Sequence, residues 1–67
     1  MSRFYVDLPI TLDTSLELPD NVVRHMNVLR LHIGDSVALF NGDGCDYTAN
    51  ISELSKRHAK VNIEKSE

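Results

Sequence analysis

Four side chains of this 67-residue chain could ligate a transition metal: His25, His32, Cys45 and His58. Zinc sites usually show paired ligands, as in Cys-x-x-Cys or His-x-x-x-His, because closely spaced ligands can share one ion. No such pair occurs here, so these four read as scattered surface or half-buried residues. Asn41-Gly42-Asp43-Gly44-Cys45-Asp46 opens like a calcium loop, then departs from one. Cys45 stands at the fifth loop position, Asp46 stands where glycine is needed, and Ser52 replaces the terminal glutamate. His32, Asp35 and Ser36 are close in sequence, but no nucleophile-elbow motif surrounds Ser36. Gly42 and Gly44 are followed by neither Lys-Ser/Thr nor a helix, so they form no phosphate loop. Catalysis by this chain alone is therefore not expected.

The cations are Arg3, Arg24, Arg30, Lys56, Arg57, Lys60 and Lys65. Guanidinium groups fork onto phosphates and stack on bases. If Arg3, Arg24 and Arg30 converge, they could form a local positive patch within a chain of formal net charge -3. Spacing alone favours an ordinary solvated surface, and the acidic total argues against nucleic acid.

The elements that must position these groups follow from hydrophobic period. Arg3 to Asp7 alternates, with Phe4 and Val6 on one face and Arg3, Tyr5 and Asp7 on the other. Leu16-Glu17-Leu18 predicts a second short strand. Asp20 is expected to cap a helix, accepting from free N–H groups and complementing the dipole. Val22, Val23, Met26 and Leu29 form its apolar face, with Arg24, His25 and Asn27 on or near the other side. Gly34 closes that region, and Ser36 to Phe40 predicts a third strand.

Asn41-Gly42-Asp43-Gly44 is the strongest turn signal, because these residues tolerate positive φ. Beyond it, Cys45, Tyr47, Ala49 and Ile51 alternate with polar residues, as do Ala59, Val61 and Ile63. A Gly42–Gly44 loop would set Leu39 opposite Tyr47 and Val37 opposite Ala49. A two-residue loop would instead set Phe40 opposite Cys45. The predicted fold is mainly β with one helix, a small antiparallel β-barrel plugged by that helix.

A chain of this size makes one domain. One cysteine allows no internal disulfide, the first ten residues contain no signal-peptide run, and no stretch approaches the ~20 apolar residues of a membrane span. A reducing cytoplasm is the expected setting.

Several segments carry a resemblance in order and spacing. They are Arg3-Phe4-Tyr5-Val6, His25-Met26-Asn27-Val28-Leu29-Arg30-Leu31, Ile33-Gly34-Asp35, Leu39-Phe40-Asn41-Gly42-Asp43-Gly44, Tyr47 and Ala49-Asn50-Ile51. Together, from Arg3 to about Ile63, they resemble the N-terminal domain of the ribosomal RNA small subunit methyltransferase E family, bacterial enzymes that methylate N3 of a uridine in 16S rRNA. The resemblance implies a PUA-like RNA-holding barrel. It also implies a following knotted α/β domain that binds S-adenosylmethionine and forms a homodimer. That domain is expected to lie outside this chain, which would then hold no cofactor. Docking of 16S ribosomal RNA, or the small ribosomal subunit, is the implied role.

By this resemblance Arg3, His25 and Arg30 fall on the family's recurring positions and are expected to contact RNA, with Arg24 a neighbour on the helix. His25 has an alternative role as a hydrogen-bonded link between helix and barrel. Two features depart from the family: the usual domain is more basic, and Cys45 stands where glycine or another small residue is common. A competing function is a protein-interaction barrel that accepts a peptide strand at its edge.

Overall fold

The computed structural model describes residues 1–67. Its elements are β1 (Arg3–Tyr5), β2 (Ser15–Glu17), α1 (Asp20–Val28), β3 (Ser36–Phe40), β4 (Tyr47–Leu54) and β5 (Ala59–Ser66). The strands form one sheet in the order β1-β3-β4-β5-β2. Two features differ from the expected antiparallel barrel. β1 pairs with β3 in parallel, and β1 and β2 are the two edges and do not pair with each other, so the sheet is not closed. The fold is nonetheless mainly β with one helix.

The inner face can be read from register. Phe4 lies opposite Leu39, which lies opposite Tyr47. Val37, Ala49 and Ile63 form a second row, and Ile51, Val61 and Leu16 a third. The hairpin thus takes the odd-loop register. The strand after the turn begins at Tyr47 rather than Cys45, because side-chain hydrogen bonds occupy the chain as far as Cys45. Likewise β2 ends at Glu17, although Leu18 follows it into the core and its N–H donates to Ala59 O.

Two bulges shape the sheet. Register shifts by one residue between Ile51 and Glu53, leaving Ser52 extra on β4. It shifts again opposite Thr48 and Ala49, leaving Glu64 extra on β5. An extra residue reverses the in-out alternation and increases local twist. That reversal brings Leu54 to the same face as Ile51, opposite Ala59 and against the core.

The helix covers this face with Val22, Val23 and Met26, each at most 3% exposed. Its ends differ from expectation. The N-cap is Pro19, without a side-chain cap bond, and Asp20 is the first helical residue. Proline with φ -70° suits that entry but supplies no acceptor side chain. Leu29, expected in the core, is 44% exposed. The helix ends there, and the turn back at Arg30 substitutes Leu31, which packs against the core.

That turn has the Schellman pattern. Arg30 N–H donates to Asn27 O and Leu31 N–H to Met26 O, while Arg30 adopts φ 58°. Glycine is the usual residue at this left-handed position. No helix of the chain is long and apolar enough to cross a membrane.

Candidate nucleic-acid interface

Residues along α1 advance by about 100°, so Arg24 and His25 point to different flanks of its exposed side. Contacts fix which flank is which. His25 meets Phe4 of β1 edge-on, with ring centroids 5.2 Å apart and planes at 87°. This aromatic contact takes the place of the hydrogen-bonded link considered from sequence. Asn27 sits on the opposite flank, where its amide donates to Ser55 O at 2.9 Å.

Two surface hollows result. The first lies at the β1 edge and is lined by Arg3, Phe4, Tyr5, Asn21, Val22 and His25. Arg3 is held from two sides. Its guanidinium lies 4.5 Å from the Phe40 ring centroid and donates to Asp46 Oδ1 at 3.0 Å. Tyr5 packs edge-on against the same Phe40 and remains 52% exposed. An exposed ion pair is worth ~0.2–1 kcal/mol, so a phosphate can displace Asp46 from Arg3 at small cost. Exposed aromatic surface beside a stacked guanidinium suits an unpaired base.

The second hollow lies between the first turn of α1 and the loop joining β4 to β5. Asp20, Arg24, Lys56, Arg57 and His58 line it, with no apolar residue among them. The structure therefore brings Arg3 and His25 together, places Arg24 elsewhere, and leaves Arg30 outside both hollows at the helix C-terminus. Arg3, Arg24 and Arg30, whose convergence was one of two possibilities, do not line a single hollow. Lys56, Arg57 and His58 were not anticipated as site residues. The signal available for them was a three-residue basic run in a loop.

The turn at the end of β3 is built from local hydrogen bonds rather than ligand-ready carboxylates. Asn41 Oδ1 accepts from Asp43 N–H, and its amide donates to Leu8 O. Asp43 accepts from Cys45 N–H and from the Tyr47 hydroxyl at 2.6 Å. The Tyr47 hydrogen bond, then that of Cys45, holds the Asp43 carboxyl below its ordinary range. The same bond pushes the Tyr47 phenol up to about 12. Asp35 has a similar structural role, accepting from His32 N–H at 2.8 Å.

Comparison with known proteins places this geometry. No curated protein matches the chain. Among solved structures, it is similar to ribosomal RNA small subunit methyltransferase E from Neisseria gonorrhoeae, bound to S-adenosyl methionine. Identity is 37% and the TM-score 0.95, covering 100% of this chain and 28% of that one. It is also similar to Lpg2936 from Legionella pneumophila, solved with the cofactor SAM. There identity is 32% and the TM-score 0.91, covering 97% of this chain and 27% of that one. The chain thus spans under a third of either protein. The family described as the RNA methyltransferase PUA domain matches residues 18–64, and the chain belongs to that family.

Proposed function

We propose that this domain docks 16S ribosomal RNA and orients it for methylation of a uridine N3 by a catalytic domain of the same longer protein. The observation that carries the reading is the β1-edge hollow, where Arg3, His25 and exposed Tyr5 surround a rigid sheet edge. Arg30 and Arg24 add guanidinium groups on two further sides of the helix. Methylation at N3 requires a uridine taken out of pairing, and a docked barrel-like domain would hold the flanking RNA while that base is presented. In this reading the setting is the cytoplasm and the longer protein is a homodimer through its catalytic domain. Much of the affinity then comes from two linked domains acting together.

S-adenosylmethionine would be held by the catalytic domain. The open shape of this chain's hollows supports that assignment. The one with most apolar lining sets Ile33, Leu54 and Ala59 beside Glu17, Glu53 and Lys60 in an open dish. Small-molecule sites typically enclose ~70–90% of their ligand. No step of methyl transfer is therefore assigned to residues of this domain.

Strand addition by a protein partner is disfavoured by the edges themselves. β1 and β2 are three residues each, too short to template a stable added strand. A salt series separates the two readings. Fluorescence anisotropy with a labelled 16S ribosomal RNA hairpin should show log affinity falling linearly with log salt, by ~0.7–0.9 per phosphate neutralised. Absence of binding at 50 mM salt would reject RNA docking by this domain.

A further inference from the structure

The cleft between α1 and the β4–β5 loop is distinct from the β1-edge hollow, and its charge is out of keeping with the rest of the chain. Arg24, Lys56 and Arg57 face one carboxylate, Asp20, for a local charge of +2. With a total of -3, the remainder of the chain carries -5. The cleft cations are also free of ion pairs, as are Arg30 and Lys65 elsewhere in the chain. Arg3 is paired with Asp46 and Lys60 with Glu53, whereas Arg24, Lys56 and Arg57 have no ion-pair partner. His58 lies 3.9 Å from Glu17.

The walls of the cleft are fixed. Ser55 N–H donates to His58 O, and the Ser55 hydroxyl bonds both His58 N–H and His58 O. These bonds close Ser55 to His58 into a tight turn. Asn27 then fastens that turn to the helix through Ser55 O, and the same amide also donates to Val23 O. Lys56 and Arg57 are thus carried on a short, anchored loop, and Arg24 on the helix. The opposite wall is the start of α1, whose N-cap supplies no side-chain acceptor. Val22 and Val23 N–H donate to Pro19 O, so the first-turn amides left over are those of Asp20 and Asn21, at the positive end of the helix.

We infer that this cleft is a second RNA contact, in which Arg24, Lys56, Arg57 and His58 hold phosphodiesters of the backbone. The inference rests on the RNA-docking reading above. The cleft differs in kind from the β1-edge hollow, since no hydrophobic residue lines it and cationic side chains dominate, which suits a phosphate. It reads no sequence. Its part is to fix the register of the RNA while the other hollow engages unpaired bases. An acidic domain can in this way hold a polyanion, because three of its cations are gathered around one cleft.

The test uses the 67-residue chain and the labelled 16S ribosomal RNA hairpin, with affinity measured from 50 to 200 mM salt. The double variant Lys56→Gln/Arg57→Gln is compared with Lys60→Gln/Lys65→Gln, which removes the same charge from β5. If two phosphates are neutralised in the cleft, the first variant lowers the salt slope by about 1.4–1.8. Across that range the wild type then loses about 7–12-fold more affinity than the variant. Lys56→Arg/Arg57→Lys should retain the wild-type slope, and the β5 pair should change it by less than half as much. Equal losses from both Gln pairs would overturn the inference, since only net charge would then matter. An unchanged slope with binding intact would also overturn it and leave RNA docking through the β1 edge standing. No binding by the wild type would remove both.

Discussion

Arg30 offers a perturbation in which stability and binding should move in opposite directions. Its φ of 58° places it in the left-handed region, at the C′ position of a Schellman turn. For a residue with Cβ that conformation costs about 1–2 kcal/mol. Glycine relieves the cost but makes the unfolded chain more flexible, which offsets about 0.4–1 kcal/mol. Arg30→Gly should therefore stabilise the domain by about 0.5–1 kcal/mol, or roughly 2–8 °C in Tm for a domain of this size. Removing one phosphate contact should at the same time lower the salt slope of RNA binding by about 0.7–0.9. Arg30→Ala separates the two effects. It keeps the strained backbone, leaving Tm within a few degrees of wild type, and loses the same guanidinium. Thermal melts by circular dichroism and hairpin anisotropy read both quantities. A lower Tm for Arg30→Gly would refute the strain argument, and unchanged binding in both variants would remove Arg30 from the interface.

Three further outcomes follow from the packing and the turn. Met26 is fully buried within the single core, so Met26→Ala should cost about 2–5 kcal/mol, enough to unfold much of a small domain at 37 °C, as read by urea melts. Asn27→Ala should cost about 0.5–1.5 kcal/mol and speed amide exchange from Ser55 to His58, because the loop loses its tie to α1. The Asp43–Tyr47 bond sets a pH window. Asp43 is lowered, so its stabilisation is present above the ordinary carboxyl value and lost as pH falls through the folded value. Tyr47 is raised to about 12, so its stabilisation is present below the ordinary phenol value and lost as pH rises through about 12. Tyr47→Phe should weaken the acid-side dependence and remove the alkaline one, as measured by Tm against pH.

Most of the elements were legible because alternation is a local property. Phe4 and Val6, or Ala59, Val61 and Ile63, declare their faces without reference to the rest of the chain, and the structure buries all five. Apolar pairing across the glycine-rich turn allowed two hairpin registers, and the structure takes the one with Leu39 opposite Tyr47. What could not be read depends on partners distant in sequence. The parallel pairing of β1 with β3 is a matter of topology, and neither strand carries a mark of it. The Ser52 bulge is silent in the alternation until Leu54 is seen to face the core. Leu29 kept the helical period but lay past the point where the helix has a surface to cover.

The site was only partly legible for the same reason. Adjacent positions Arg24 and His25 separate onto two flanks of the helix, and what each meets is decided by Phe4 on one side and Ser55 on the other. Resemblance to a family marks positions but does not say which of them share a hollow. The Lys56-Arg57-His58 run becomes a candidate only once the Ser55 turn and Asn27 bring it to face Arg24.

The most direct test of RNA docking is an NMR titration of the isotope-labelled chain with the 16S ribosomal RNA hairpin, at low and at physiological salt. The account predicts shifts on Arg3, Tyr5 and His25 at the β1 edge, on Arg30, and on Arg24 with Lys56 to His58, all diminishing as salt rises. Shifts absent at low salt, or scattered over β5 and the Asn41 to Asp46 turn instead, would contradict it.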